Sequence, residues 1–148
     1  MKITKSDTFF CSAEELWTWL NDFGKVKQWN KTILDEKHIS SGNIRVGFTT
    51  NILINEELSE TWYTSEILRY DPSTFLSFSL SGGKLGKNPM IVEYRLIPEK
   101  NNTVLNYSCR WAPHGFMLKM ADPVISRIAR KNIENAFAEL SKLIIKTD

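Results

Sequence analysis

The sequence contains few of the residues that build metal centres and disulfide frameworks. Its 148 residues include two cysteines, Cys11 and Cys109, and two histidines, His38 and His114, which lie far from each other. No HExxH, CxxC, Walker or GxGxxG pattern occurs, and isolated cysteines in apolar, strand-like contexts are typical of buried thiols. The sequence therefore predicts no metal site and no cofactor, and it contains no recognisable catalytic motif.

Long hydrophobic runs and an excess of one charge are also missing. No apolar run approaches the roughly 20 residues of a membrane-spanning helix, and the N-terminus has no apolar stretch of the signal-peptide type. The 19 basic and 17 acidic residues are interleaved, with a net charge of +2, whereas nucleic-acid binding usually needs a clustered basic surface. We therefore expect a cytoplasmic protein with no integral membrane association and no nucleic-acid partner.

The composition is that of a chain with a sizeable core. Hydrophobic residues make up 42% and charged residues 24% of the sequence, and a chain of this length buries roughly 70% of its unfolded surface. The 17 aromatic residues suit a core and a ligand pocket equally well. No linker, repeat or low-complexity stretch divides the sequence, so we expect one domain over residues 1–148.

Two short helices are predicted after a first strand. Residues 2–11 are rich in β-branched and aromatic side chains, which favour a strand. Ser12 and Glu15 have the spacing of a capping box, and apolar residues then recur at helical spacing. The helix ends at residues 22–24, and a shorter helix follows over residues 26–29.

From about residue 33 to residue 111 the apolar residues recur with a period of two. Turn-forming pairs divide this stretch into about six strands with no helix between them, which favours antiparallel hairpins. The covered faces are expected to be Leu76, Phe78 and Leu80; Met90, Val92, Tyr94 and Leu96; and Leu105, Tyr107, Cys109 and Trp111. One apolar and one polar face per strand predicts a single sheet covered on one side.

A long C-terminal helix is expected to supply that cover. Asp122 and Pro123 suit an N-cap and the first helical position, so we predict that the helix begins there and continues to about residue 146. The apolar stripe at three- and four-residue spacing consists of Leu118, Ala121, Ile125, Ile128, Ala129, Ala136, Leu140 and Leu143. Asn132 is the one polar residue within that stripe.

This order of elements resembles the START-like superfamily, which includes plant pathogenesis-related allergens, polyketide cyclase/dehydrase proteins and lipid-transfer domains. The local marks, in chain order, are Ser12-Ala13-Glu14-Glu15-Leu16-Trp17, Trp29, Gly42, Val46-Gly47, Ile67 ahead of Asp71-Pro72, and Asp122-Pro123. The resemblance covers essentially the whole chain. It implies an α+β helix-grip fold, in which a curved antiparallel sheet of about seven strands wraps around a long C-terminal helix, with two short helices after the first strand.

The resemblance also implies where a ligand would lie, namely between the concave face of the sheet and the last helix. In that arrangement Ile67 points inward, which would bring Tyr63 to the same side and turn Trp62 outward unless a bulge intervenes. The candidate ligand-binding residues are Trp29, Phe48, Tyr63, Phe78, Tyr94, Tyr107, Trp111, Met117, Ala121, Ile125, Ile128 and Asn132. Asn132 either bonds to a protein group or to water, or it contacts the ligand.

Three functions remain open at this point. The favoured one is the binding or transport of a small to medium hydrophobic ligand, such as a lipid, an isoprenoid or an aromatic polyketide. The second is a cyclase or dehydratase, for which His114 beside Arg110 is the candidate acid/base group. The third is a protein-interaction module, which predicts a filled cavity and an exposed apolar patch. The oligomeric state is left undetermined.

Overall fold

The computed structural model describes residues 1–56, 58–112 and 115–147, and among them every side chain except those of residues 87, 115–122, 146 and 147. The helices and strands follow as β1 (Lys2–Phe9), α1 (Ala13–Asn21), α2 (Phe23–Trp29), β2 (Ile33–His38), β3 (Thr49–Glu56), β4 (Ser59–Asp71), β5 (Phe75–Gly82), β6 (Gly86–Pro98), β7 (Thr103–Arg110) and α3 (Gly115–Thr147). The predicted α+β helix-grip fold is confirmed, with seven antiparallel strands, two short helices after the first strand and a long C-terminal helix.

The sheet is a meander that its first strand completes. Strands β2 to β7 pair with their sequence neighbours, and β1 adds to β7, so the strand order is β1-β7-β6-β5-β4-β3-β2. Lys2 lies opposite Arg110 in that last pair. Helices α1 and α2 carry the chain from one edge of the sheet to the other. They pass near the end of β4, where Asn21 Nδ2 donates to the Tyr70 hydroxyl over 3.0 Å.

A side-chain hydrogen bond caps the N-terminus of each of the two short helices. The Ser12 hydroxyl accepts a hydrogen bond of 3.1 Å from the Glu15 N–H, which confirms the predicted N-cap. Asp22 follows the last residue of α1, and its carboxylate accepts a hydrogen bond of 3.0 Å from the Gly24 N–H. The second helix therefore begins at Phe23, three residues earlier than predicted. Caps of this kind are each worth about 1 kcal/mol.

The alternation predicted for the strands is seen in the burial of their side chains. On β6, Val92 and Tyr94 are buried on the concave face. Strand β4, whose sequence does not alternate clearly, turns Tyr63 inward (7% exposed) and Trp62 outward (41% exposed). The Lys37 ammonium lies 5.2 Å from the centre of the Trp62 ring on the outer face.

The outer face of β5 is less exposed to solvent than the alternation predicts. Ser77 and Ser79 are buried although they point away from the concave face, because small side chains lie below the level of their longer neighbours. Beside them, the guanidinium groups of Arg69 and Arg95 lie 4.4 and 4.7 Å from the centre of the Phe75 ring. Part of the outer face of β5 is therefore shielded from solvent by neighbouring side chains.

Both edge strands point charged or titratable side chains toward the concave side. On β1, Lys5 and Asp7 alternate with the outward residues and pair with each other at 3.4 Å. On β2, His38 Nε2 lies 3.9 Å from Glu36 Oε2. Inward-pointing charges make an edge unfavourable for the addition of another strand, so both free edges of the sheet are protected against strand addition.

Helix α3 begins earlier than the sequence indicates. The predicted start at Asp122 and Pro123 is wrong, because the helix begins at Gly115 and Pro123 lies inside it. A proline in a helix removes one backbone hydrogen bond but has a helical φ, and the apolar spacing already extends upstream to Leu118. Periodicity was thus the better guide to the helix than the local start signal. The helix contains 33 residues.

Candidate ligand cavity

A cavity of about 250 Å³ lies between the concave face of the sheet, the two short helices and α3. Its wall consists of Leu20, Asn21, Phe23, Val26, Asn30, Thr32, Ile33, Ile44, Ile52, Ile54, Ile67, Leu76, Phe78, Leu80, Met90, Val92, Tyr94, Tyr107, Cys109, Ala129, Asn132, Ile133 and Ala136. Most of these side chains are aliphatic or aromatic, and none of the described ones is an acid, a lysine, an arginine or a histidine.

The space exists because α3 presents small side chains where it crosses the sheet. Ala129 and Ala136 stand in the wall one turn on either side of Ile133. Facing the helix, Phe78 and Met90 are only half-buried, although both point inward from the middle of the sheet. An alanine cannot reach across the gap between a helix and a sheet, so a void remains between the two layers.

A second depression lies on the outer face, across β1, β7 and β6. It is a groove of about 390 Å³ that is open to solvent, and its lining includes Thr4, Ser6, Glu93, Arg95 and Asn106. These polar side chains are those of an ordinary solvated sheet surface. The more enclosed cavity on the concave side is therefore the candidate site.

Amide and hydroxyl groups in the cavity wall mostly bond to protein groups. Asn30 Oδ1 accepts a hydrogen bond of 2.7 Å from the Thr32 hydroxyl, and Asn21 bonds to the Tyr70 hydroxyl. Asn132 differs, because it is exposed and its amide makes no hydrogen bond to any residue that the structure describes. Asn132 thus faces the cavity instead of pairing inside the protein, and its contact with a ligand stays a prediction.

Two tyrosines and a thiol lie side by side in the wall. Tyr94 is opposite Tyr107 in the β6–β7 pair, and the two ring centres are 5.6 Å apart. Burial is the main cause that raises the pKa of both phenols, and it raises the pKa of Cys109 to about 11. All three groups are therefore protonated and neutral at pH 7. They are hydrogen-bond donors and not general bases at that pH.

Four of the predicted ligand-binding residues stand in the cavity wall. They are Phe78, Tyr94, Tyr107 and Asn132. Each comes from a different element, namely β5, β6, β7 and α3, so the fold brings together residues that are distant in sequence. Their contact with a ligand stays a prediction.

Six other predicted residues lie outside the wall. The Trp29 indole N–H donates to the Trp19 carbonyl over 2.9 Å within the core. The Tyr63 hydroxyl donates to Glu56 Oε1 over 2.5 Å. Phe48 and Trp111 are buried, Ile125 is half-buried, and Ile128 is 41% exposed. Large size and an inward direction therefore did not separate cavity residues from core residues.

Three predictions fall outside the described side chains. They concern Met117 and Ala121 as ligand-binding residues, and His114 as an acid/base group. The structure therefore adds nothing to these three predictions.

The wall also contains residues that the sequence analysis did not single out as a site. Leu76, Leu80, Met90, Val92 and Cys109 were assigned to the covered face of the sheet but not to a ligand. The signal that would have found them is the alternation itself, because core and cavity share one face of the sheet. On α3, two alanines in the apolar stripe mark the place where the helix leaves room.

The described part of the chain has neither a cluster of metal-ligating side chains nor a membrane-spanning helix. Within it, no three or more His, Cys, Asp or Glu side chains come together as a metal site would require. No helix of the same residues combines the length and the apolar character needed to span a membrane.

A sheet wrapped around a long helix, with a cavity between them, defines the START-like class of proteins. Residues 1–143 match the family model described as polyketide cyclase / dehydrase and lipid transport, so the chain belongs to that family. The resemblance inferred from the sequence is thereby confirmed. No curated protein matches the sequence.

Several solved structures share the architecture along the whole chain. TTHA0849 from Thermus thermophilus has a TM-score of 0.82 at 10% identity, over 100% of this chain and 99% of that chain. A START superfamily protein from Mycobacterium smegmatis has a TM-score of 0.78 at 14% identity, over 99% of both chains. Ara h 8.0201 has a TM-score of 0.72 at 13% identity, over 99% of this chain and 98% of that chain. At such identities the likeness shows the fold alone.

Proposed function

We propose that the protein binds or transports a small hydrophobic ligand in the cavity between the sheet and α3. The observation that carries the proposal is a wall of aliphatic and aromatic side chains around about 250 Å³ of space. Transfer of apolar surface from water to such a wall is favourable by roughly 25 cal/mol per Å². The volume lies just below the ~300–1,000 Å³ of common ligand pockets, which favours a compact ligand such as an isoprenoid or an aromatic compound.

The two alternative functions have less support. A protein-interaction module predicts a filled cavity, whereas this cavity is open. A cyclase or dehydratase needs an acid/base group beside the ligand, and the described wall offers neutral hydroxyls, amides and a thiol of raised pKa. Binding requires only the apolar wall and the space that are present. A cytoplasmic location remains a prediction from the sequence.

A neutral fluorescent probe tests the proposal directly. N-phenyl-1-naphthylamine becomes more fluorescent in apolar surroundings, and we expect it to bind at one saturable site. Ala129→Phe puts a ring into the cavity and should weaken the binding at least tenfold. Ala138→Phe puts the same ring on an exposed position of the same helix and should leave the affinity unchanged.

Circular dichroism on the same samples shows that each variant is folded before the titration is interpreted. If the probe bound equally well to the wild type and to both variants, the cavity would not be its site. Absence of saturable binding to the folded wild type would contradict the proposed function itself.

A further inference from the structure

The cavity wall contains no described side chain that could pair with a charged ligand. The ion pairs of the described residues lie elsewhere, as Arg110 with Glu93 over 2.7 Å and Lys142 with Glu139 over 3.3 Å illustrate. A carboxylate or an ammonium group that leaves water for apolar surroundings without a partner is strongly disfavoured. A charged group therefore finds no counter-charge among the described side chains of this wall.

Most of the polar side chains in the wall already have a partner. Asn30 and Thr32 bond to each other, and Asn21 bonds to Tyr70. The Tyr107 hydroxyl faces the Cys109 thiol. These groups do not need a ligand to complete their hydrogen bonds.

Tyr94 is the exception among the buried groups of the wall. Its side chain is 6% exposed and lines the cavity, yet its hydroxyl makes no hydrogen bond to any residue that the structure describes. The oxygen is also not sealed inside the protein, as Glu36 Oε2 and Thr50 Oγ1 are. A buried hydroxyl without a hydrogen-bond partner is unfavourable. A ligand group that accepts a hydrogen bond from the Tyr94 hydroxyl therefore gains an interaction that an apolar group does not make.

We infer that the ligand is an uncharged molecule whose neutral oxygen, such as that of a ketone, an ester or an alcohol, accepts a hydrogen bond from Tyr94. The inference rests on the proposed function and narrows its ligand class. It excludes a fatty-acid carboxylate held inside the cavity. It also gives the ligand a fixed orientation, with its oxygen at the β6 side of the wall.

Three ligands of nearly equal shape separate the apolar, polar and charged contributions to the affinity. They are 2-ethylnaphthalene, 2-acetylnaphthalene and 2-naphthoate, and their dissociation constants are measured at pH 7.5 by isothermal titration calorimetry. We expect 2-acetylnaphthalene to bind best and 2-naphthoate to bind at least 30-fold more weakly. Tyr94→Phe should weaken 2-acetylnaphthalene about fivefold and leave 2-ethylnaphthalene unchanged.

Tyr63→Phe is the matched control, because the Tyr63 hydroxyl bonds to Glu56 outside the wall. It should leave the affinity ratio of the ketone to the hydrocarbon unchanged. The inference is overturned if 2-naphthoate binds within threefold of the ketone, or if Tyr94→Phe weakens both neutral ligands equally. If N-phenyl-1-naphthylamine binds the folded protein and none of these three ligands does, the inference fails and the proposed function stands; if the probe does not bind either, both fail. Binding of all three with equal affinity would leave the function standing and remove only the inference.

Discussion

The two halves of α3 face the same sheet but differ in how deeply their side chains are buried. In the C-terminal half, Phe137, Leu140 and Ile144 are 1%, 0% and 1% exposed. Between Pro123 and Asn132 no residue is buried. The end of the helix thus completes the hydrophobic core, whereas the cavity lies beside the middle of the helix, from Ala129 to Ala136.

Side-chain size explains the difference between the halves. The Phe137 ring centre lies 5.8 Å from that of Phe9, 6.1 Å from that of Trp29 and 5.6 Å from that of Tyr107, so it fills the gap to the sheet. About two helical turns earlier, Ala129 leaves the gap open. The packing that stabilises the protein is therefore concentrated toward the C-terminal end of the helix, and the ligand space lies beside its middle turns.

Removal of the same number of carbon atoms from each half should give the largest difference in the free energy of unfolding. Leu140→Ala deletes part of a fully buried side chain and should lower the free energy of unfolding by about 2–5 kcal/mol. Ile128→Ala deletes part of a side chain that is 41% exposed, and alanine is the better helix former, so its effect should stay within about 1 kcal/mol. Urea unfolding measures both values.

Equal losses of stability in these two variants would contradict the proposed difference in packing between the two parts of α3. Unchanged slopes of the unfolding curves ensure that the comparison reports the native state.

A second, smaller contrast uses two asparagines on α3. Asn132 lines the cavity, and Asn135 is exposed outside it. Because the Asn132 amide has no described hydrogen-bond partner, Asn132→Leu should keep the stability or raise it by roughly 0.5 kcal/mol through helix propensity. It should also lower the affinity for 1-(6-hydroxynaphthalen-2-yl)ethanone, a ligand with two polar groups, by about fivefold.

Asn135→Leu should change the stability similarly and leave the affinity as it is. Thermal melts with and without the ligand read both quantities on one sample. A large loss of melting temperature in Asn132→Leu, with unaltered stabilisation by the ligand, would remove Asn132 from the site.

The smallest expected effect concerns Glu36, which stands opposite the wall residue Ile52 at the edge of the sheet. Burial is the main cause that raises the pKa of Glu36 above 4.5, against the opposing charges of His38 and Lys27. The folded state therefore holds this proton more tightly than the unfolded state, so stability falls as the pH rises from 4.5 through the folded pKa. Glu36→Gln should raise the melting temperature slightly at pH 7, and the gain should vanish below pH 4.5.

Differential scanning calorimetry at several pH values measures this gain. Glu60→Gln, at an exposed position of β4, is the control and should change little at any pH. A Glu36→Gln variant that is less stable than the wild type at pH 7 would show that the carboxylate makes a favourable interaction there.

Much of the fold could be predicted from local sequence signals. Ser12 and Glu15 marked the start of α1, and the period-two stretch marked the strands β2 to β7. The position of Tyr63 needed the family resemblance, because the alternation in β4 is broken. The predicted start of α3 was wrong because Asp122 and Pro123, whose residue types are typical of a helix start, lie inside a longer helix.

The candidate site was harder to predict, because one face of the sheet serves both core and cavity. Alternation identified Tyr94 and Tyr107 as inward residues, but it also identified Trp111, which lies outside the wall. Whether an inward residue meets packed atoms or open space depends on the helix residue opposite it. The effects of Ala129 and Phe137 depend on the residues that each of them faces in the folded protein. A local sequence pattern does not show which residues face each other.

The isoleucine methyl groups report on both regions in a single NMR spectrum. Ile54, Ile67 and Ile133 line the cavity, whereas Ile3 and Ile144 are buried outside it. On titration with 2-acetylnaphthalene, the methyl signals of the first three should shift and show nuclear Overhauser effects to the ligand, while those of the other two stay in place. Shifts confined to Ile3 and Ile144, or the absence of any contact between the ligand and the three cavity methyl groups, would contradict the account.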